Sequence, residues 1–422
     1  MGNSQSPPAD PRFASASRAF TQNELEELRS LFDSLASQSQ SDGLFVSPAV
    51  FQAYFEARGV LGARLFDLVT QQRRDGRLGF EDLVIAKSLY EKGTRDEIEE
   101  FVYQLIDTNG DGIVDRSDLE SVLLVIFESV FSHEDSVSAS SSLPDMVNVF
   151  LGASTFAKDN GTDAEKCLSF EEFKSWSALV PSVRKFLGSL LTPPTKARSG
   201  FQVPQLVHDK NISDDGLLLK KEFAWHIGGA LSSNELEEWK LLYHSTTSGL
   251  SFNTFLGSVA NDEGPTLLII KDGEGCIYGG YASQPWERHA DFYGDMKSFL
   301  FQLYPKASLY KPTGANNNLQ WCAVNFSSDS IPNGIGFGGR INHFGMFISA
   351  NFDQGHTFAC TTFGSPCLSK TSRMVPEVIE CWGVVHRSPQ QEKQEGVKGS
   401  VLERFKEDRN MLNMVGIADS SN

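Results

Sequence analysis

Apolar residues recur at helical spacing through the first half of the chain and at alternating spacing through much of the second. Leu25, Leu28, Leu31, Phe32 and Leu35 predict one amphipathic helix, Ile98, Phe101, Val102, Leu105 and Ile106 a second, and Leu119, Val122, Leu123 and Ile126 a third. Residues 183–191 close this region before the stiff break Thr192-Pro193-Pro194-Thr195. Helical patterning returns at Leu217, Leu218, Leu219 and Phe223. There Ser232 or Ser233 is expected to cap a helix carrying Leu236, Trp239 and Leu242. After Ser245 the period becomes strand-like. Runs at 266–271 and 276–282 flank the turn Asp272-Gly273-Glu274-Gly275, and further strands are expected at 299–304, 319–326, 345–351 and 378–384. Strands separated by polar turns predict a β-sandwich. The tail is polar over 388–399, and then Leu402 and Phe405 fall on one side of a short amphipathic helix.

Between the second and third helices lies Asp107-Thr108-Asn109-Gly110-Asp111-Gly112-Ile113-Val114-Asp115-Arg116-Ser117-Asp118. Oxygen side chains stand at positions 1, 3, 5, 9 and 12, a glycine at the sharp turn of position 6 and an apolar residue at position 8. Those are the positions from which a twelve-residue loop wraps a calcium ion. The expected ligands are Asp107, Asn109, Asp111, the Ile113 carbonyl, Asp115 and Asp118, and the unit reads as an EF-hand. The competing reading is an Asx-rich turn without metal. Position 12 is an aspartate, shorter than the usual glutamate, which weakens calcium binding or admits magnesium.

The same frame recurs with its ligands lost. Residues 38–49 place Asp42-Gly43 at the turn and Phe45 at position 8. Residues 71–82 repeat Asp75-Gly76 and Leu78, with Arg73 at the third position. A fourth frame, 161–172, offers Asp163, Glu165 and Glu172 as weak ligands, with Leu168 at position 8. Position-8 residues of such units pair in a short β-bridge, so two pairs are expected, the degenerate members serving as packing partners. The serine- and acid-rich stretch 133–142 reads as a solvated loop.

At 422 residues the chain is long enough for two or three domains, and 40% hydrophobic content with 31 phenylalanines provides ample core. A net charge of −17 argues against nucleic acid. No apolar run approaches a membrane span. Six cysteines without a Cys-x-x-Cys pair or secretory leader suggest reduced thiols in the cytoplasm. The start, Met1-Gly2-Asn3-Ser4-Gln5-Ser6, fits N-myristoylation on Gly2. One such chain attaches a protein to membrane only marginally and reversibly.

Leu242-Tyr243-His244-Ser245, Gly264-Pro265-Thr266-Leu267-Leu268-Ile269-Ile270-Lys271-Asp272, Tyr281-Ala282-Ser283-Gln284-Pro285-Trp286, Phe292-Tyr293-Gly294, His343-Phe344-Gly345, Thr362-Phe363-Gly364-Ser365-Pro366-Cys367-Leu368-Ser369 and Trp382-Gly383 follow one another as in a TLDc domain. Residues 240–385 resemble that family, and the whole chain is similar to mTOR-associated (MEAK-type) TLDc proteins. The intact loop resembles plant-like, calcium-binding members. The resemblance implies binding to a protein complex, the V-ATPase of lysosome or vacuole, with a link to mTOR signalling. It also implies peripheral residence on lysosomal or vacuolar membrane; the plasma membrane is the other location expected for a cytoplasmic, lipid-attached protein. A second reputation of the family is resistance to oxidation, so an antioxidant enzyme and a constitutive scaffold with a structural metal stand as alternatives.

Catalysis would need a nucleophile and base within reach. Glu287 with His289, and His343 near Cys360, are the only pairings the sequence suggests, and no Gly-x-Ser-x-Gly elbow, His-Glu-x-x-His or phosphate loop accompanies them. The run 334–339 reads as a tight turn. Glu287, Arg288 and His289 are better candidates for a partner contact, as are Leu402 and Phe405 in the tail. The expected architecture is α+β and multidomain: a disordered acylation segment (1–20), an all-α half of four EF-hand-like motifs (21–191), a linker with bridging helices (192–239), a TLDc β-sandwich with flanking helices (240–385), and a polar linker with a C-terminal helix (386–422). The expected protein is a monomeric, non-enzymatic regulator that responds to calcium or magnesium.

Overall fold

The computed structural model describes residues 11–39, 43–70, 75–131, 143–154, 167–194, 198, 200–209, 211–328 and 330–385. Gly2, Asp163, Glu165, Leu402, Phe405 and the 133–142 loop lie outside the described residues. The architecture is α+β, with helices first and sheets after.

The helical half runs α1 (Pro11–Ser17), α2 (Gln22–Gln38), α3 (Pro48–Phe55), α4 (Gly59–Val69), α5 (Phe80–Lys92), α6 (Arg95–Ile106), α7 (Arg116–Phe131), α8 (Leu143–Leu151), α9 (Phe170–Leu179) and α10 (Pro181–Leu187). Capping boxes fix several starts: Thr21 with Glu24, Thr94 with Glu97 and Ser169 with Glu172. The loops α2–α3 and α4–α5 meet in a two-way bridge, Val46 N to Leu78 O at 2.9 Å and Leu78 N to Val46 O at 3.2 Å. The sequence frame assigns Phe45 to that bridge; the structure uses Val46. The first loop holds one more residue between its turn glycine and the next helix, so the wholly buried Val46 takes the ladder position. Phe45 is left half-buried under the Arg77 guanidinium, 4.6 Å from its ring centroid.

The second half contains β1 (Gln205–Val207), α11 (Lys221–Gly228), β2 (Glu238–His244), α12 (Ser245–Ser248), α13 (Phe252–Val259) and ten further strands. These are β3 (Thr266–Asp272), β4 (Ile277–Ala282), β5 (Phe299–Tyr304), β6 (Ser308–Tyr310), β7 (Gln320–Ala323), β8 (Gly334–Arg340), β9 (His343–Ser349), β10 (Gly355–His356), β11 (Arg373–Met374) and β12 (Pro376–Val384). Seven strands order as β1-β2-β12-β3-β4-β5-β6 and five as β11-β10-β9-β8-β7. Along β3 the two faces separate by parity. Leu268 and Ile270 join a core with Phe337, Met346 and Ile348 of the second sheet, while Leu267 and Ile269 join the core that continues into the helices. Both faces are therefore buried, which explains an unbroken apolar run where alternation would mark a half-exposed strand.

Three expectations are corrected here. Residues 11–17, expected to be disordered, form α1, because Ala16 and Phe20 bury against Val84 and Phe13 meets the Phe80 ring with centroids 6.1 Å apart. The helix expected over Leu236, Trp239 and Leu242 is strand β2: the Ser232 capping box closes only one turn, Ser233–Glu235, and β2 then pairs with β1 and β12. Sheet pairing overrides a three-residue apolar spacing that the alternating Trp239, Leu241 and Tyr243 match equally well. The run 334–339 is strand β8, not a turn. Its glycines admit close neighbours, since a Cβ on Gly336 would stand 2.6 Å from the Met346 carbonyl oxygen. Opposite, Gly280 leaves room for the Phe337 ring, 2.7 Å from where its Cβ would be.

The segment between the halves touches both. Trp225 of α11 lies among Phe127, Phe131 and Phe150, its Nε1 donating to the Gly200 carbonyl at 2.9 Å. Just upstream, the Leu218 and Leu219 amides donate to the wholly buried carboxylate of Glu380, which also accepts from Trp382 Nε1 at 2.9 Å. The His244 ring stands beside it, Nε2 3.4 Å from Oε1.

His226, next to Trp225, is fully buried against Phe150, and neither ring nitrogen has a hydrogen-bond partner among the described residues. Burial pushes its pKa from 6.5 down to about 3. Because the folded pKa is depressed, its neutral form is compatible with the fold above pH 6.5, and stability is lost as pH falls toward the folded value. Denaturant titrations from pH 7 to 4.5 should show the wild type losing about 3 kcal/mol more than His226→Leu across that range. The variant should be no less stable at pH 7, since no bond is removed.

Candidate functional site

The 107–118 loop begins where α6 ends, and its side chains bond its own backbone. Asp107 Oδ1 accepts from Gly110 N at 2.8 Å and Oδ2 from Gly112 N at 3.1 Å. Asn109 Oδ1 accepts from Asp111 N at 2.9 Å, and Asp111 Oδ1 from Ile113 N at 2.8 Å. Gly112 holds φ +87°, a conformation that fits glycine. Asp115 and Asp118 cap α7 reciprocally, Asp118 N to Asp115 Oδ1 at 2.9 Å and Asp115 N to Asp118 Oδ2 at 3.1 Å. The backbone bond from Asp118 lowers the pKa of Asp115, keeping it ionised. Asp118 Oδ1 further accepts from the Thr108 amide and hydroxyl at 3.1 and 2.5 Å. Asp107 and Asp118 are buried, whereas Asn109, Asp111 and Ile113 are exposed.

As a donor set, four carboxylates, one amide oxygen and a backbone carbonyl suit a hard divalent cation. The chemistry fits. The apolar position 8 also acts as the frame requires: Leu168 N donates to the Val114 carbonyl at 2.7 Å, joining the α6–α7 and α8–α9 loops with both side chains buried. Glu172, the last residue of the fourth frame, accepts from the Ser169 amide at 3.0 Å and hydroxyl at 2.7 Å, capping α9. One residue escapes any reading of spacing. Arg64, on α4, reaches Asp107 Oδ2 with Nη2 at 3.1 Å and the Gln104 carbonyl with Nε at 3.0 Å.

On the sandwich, Glu287 and His289 are neighbours at 4.0 Å beside a shallow depression of about 550 Å³ that Tyr293 and Asp295 also line. His289 stacks on Tyr293 with ring centroids 4.0 Å apart, and its amide is tied to the Cys322 carbonyl at 2.9 Å. Burial raises the Tyr293 pKa, so its phenol stays protonated. Arg288 turns away, its guanidinium 3.8 Å above the Phe326 ring and Nε bonded to the Val324 carbonyl at 2.7 Å. Thus Glu287 and His289 share a surface and Arg288 faces a different neighbour. His343 stacks on Phe358, while Cys360 is buried with its sulfur 3.5 Å from the Ser365 hydroxyl. Among the described residues no helix is long and apolar enough to cross a membrane.

Residues 212–385 match the TLDc domain family. The sandwich is a TLDc domain. Its matched span starts at Ile212 and so takes in the Glu380-bound segment and β2. The chain is similar to an MTOR-associated protein MEAK7 from Danio rerio, 36% identical over 181 residues that cover 42% of this chain and 39% of the relative. The protein of the same name from Mus musculus is 33% identical over 255 residues, covering 59% and 55% respectively. Oxidation resistance protein 1 of Xenopus laevis is 29% identical over 189 residues, covering 43% of this chain and 21% of that protein. The matches thus span about two fifths to just over half the length of the MTOR-associated relatives. The 107–118 loop lies outside the TLDc domain, in the helical half.

Asp118 caps a helix and closes the loop through its bonds to Asp115 and Thr108. Asp118→Ala is expected to lower stability by about 1–3 kcal/mol in chelator, by loss of the cap and of the bonds from Thr108. Urea unfolding with EDTA present reads this directly.

Proposed function

We propose that this chain is a calcium-responsive regulatory adaptor whose TLDc domain binds a protein complex. The observation that carries the reading is the joining of an acidic loop, framed at position 8 by the Val114–Leu168 bond, to a TLDc sandwich through one continuous core. Asp107, Asn109, Asp111, Asp115, Asp118 and the Ile113 carbonyl would hold calcium, or magnesium given the short arm at position 12. A bound cation supplies charge neutralisation that stiffens the loop and the two helix pairs it links. The partner is an assembly containing mTOR, the association named for the relatives, with the V-ATPase as the membrane complex that the family resemblance suggests. A myristoyl group on Gly2 would give reversible attachment to lysosome, vacuole or plasma membrane.

The protein is proposed to recognise rather than transform. Glu287 is exposed and His289 half-buried, 4.0 Å apart, a surface pair suited to meeting a partner's charged groups. A second reading, a constitutive scaffold with a structural metal, draws support from the continuity of the helical and sheet cores.

Co-precipitation of mTOR and V-ATPase subunits by the purified full chain, with calcium and with chelator, separates the readings. The adaptor predicts capture that rises with calcium and loses this dependence in Asp107→Asn; the scaffold predicts capture indifferent to the ion, and no capture in any condition refutes both. Fractionation checks the lipid: Gly2→Ala should move most of the membrane-bound protein into the soluble fraction, and an unchanged distribution excludes acylation as the attachment.

A further inference from the structure

We infer that Arg64 is an internal counter-cation for the 107–118 loop, holding the Asp107 carboxylate in the absence of a divalent ion and weakening the uptake of one. The inference rests on the proposed reading of that loop as a metal site. Three observations fix the guanidinium there. Nη2 lies 3.1 Å from Asp107 Oδ2, the first position of the frame. Nε is anchored 3.0 Å from the Gln104 carbonyl, so the head group is held at two points. Finally, a Cβ on Gly110 would come within 2.7 Å of Nη1, so the guanidinium lies directly against the loop backbone at a residue without a side chain.

The pair is shielded: the Arg64 and Asp107 side chains are only 16% and 7% exposed. Water and salt therefore screen the charge less than at a surface ion pair. Asp107, Asp111, Asp115 and Asp118 bring four negative charges into twelve residues. Arg116, the basic residue within the loop, bonds instead to Glu120 and Asn148, away from those carboxylates. An incoming dication must share Asp107 with a fixed positive charge a few ångströms away, and that repulsion reduces affinity. Because Arg64 belongs to α4, in the degenerate second helix pair, occupation of the loop would also change the hold between the two halves of the helical array. The degenerate pair thus gains a role beyond packing, that of tuning its neighbour.

Calcium titration calorimetry on the full chain after chelator treatment, comparing wild type with Arg64→Gln, Arg64→Met and Arg64→Lys, tests this. The neutral variants should bind calcium roughly tenfold more tightly, and the lysine variant should stay near wild type. A thermal readout distinguishes the role from a merely structural one. Without metal the neutral variants should melt below wild type, yet their calcium-induced rise in Tm should be larger; a structural clasp would lower Tm equally in both conditions. Wild-type binding with unchanged affinity in the neutral variants overturns the inference and leaves the metal site standing. Failure of all four proteins to bind overturns the metal site itself, and failure of both neutral variants to fold makes Arg64 a structural clasp and refutes the tuning role.

Discussion

The fold depends on a sheet whose two faces are both buried. Strand β3 lies between β12 and β4, and its side chains alternate between the sandwich interior and the core shared with the helices. A strand so placed tolerates almost no polarity, which gives Glu380 its importance. Its carboxylate is fully buried on β12, accepting from two backbone amides of the preceding segment and from Trp382, with His244 beside it. A buried charge is stable only while its partners stay in place. It therefore specifies where the connecting segment crosses the sheet, and with Trp225 inserted among the helical aromatics it fixes the junction between the halves.

The helical half obeys a different constraint. In three of its loops the last residue of the twelve-residue frame is also the third residue of the exiting helix. Asp118 receives the Asp115 amide, Asp82 the Gly79 amide and Glu172 the Ser169 amide. Helix capping thus maintains an acidic residue there independently of any ion. The bridges between loops are equally indifferent to ligands, since Val46–Leu78 forms between loops whose sequences lack a cage. A degenerate frame consequently keeps its shape after losing its chemistry. What sets residues 107–118 apart is the first half of the loop, where Asp107, Asn109 and Asp111 all present oxygens.

This division explains what the sequence disclosed. Helices with long apolar repeats, the hairpin around Asp272-Gly273-Glu274-Gly275 and the twelve-residue frame were legible because each rests on local periodicity or turn chemistry. Asp272 closes that hairpin itself, its Oδ1 accepting from the Glu274 and Cys276 amides at 3.0 and 2.9 Å. The misreadings arose where distant contacts decide. Val46 replaced Phe45 because loop length, rather than glycine position, sets the bridge. β2 and β8 were hidden because the pairing of β2 with β12 and the seating of Phe337 of β8 against Gly280 of the facing sheet, neither local, govern residues 236–242 and 334–339. Arg64 was invisible for the same reason, being 43 positions from the carboxylate it holds.

Magnitudes limit how a cation in the loop could act. Leu267, Ile269, Tyr281, Phe299, Phe301, Leu303, Trp382 and Val384 all join the core that continues into the helices. At roughly 1.5–3 kcal/mol for each buried side chain, lifting the helical half from the sheet would forfeit on the order of 10–20 kcal/mol. A ligand at a thousand times its Kd supplies about 4 kcal/mol. Calcium cannot pull the halves apart against that difference. Its effect must be confined to elements whose rearrangement costs about as much as one ion provides: the loop backbone, the Val114–Leu168 contact, the Arg64 ion pair and the mutual angle of the helices they join. On the proposed reading, a partner held by the TLDc domain would sense the ion only where it also touches the helical half, since the sheet itself stays fixed on this energy scale.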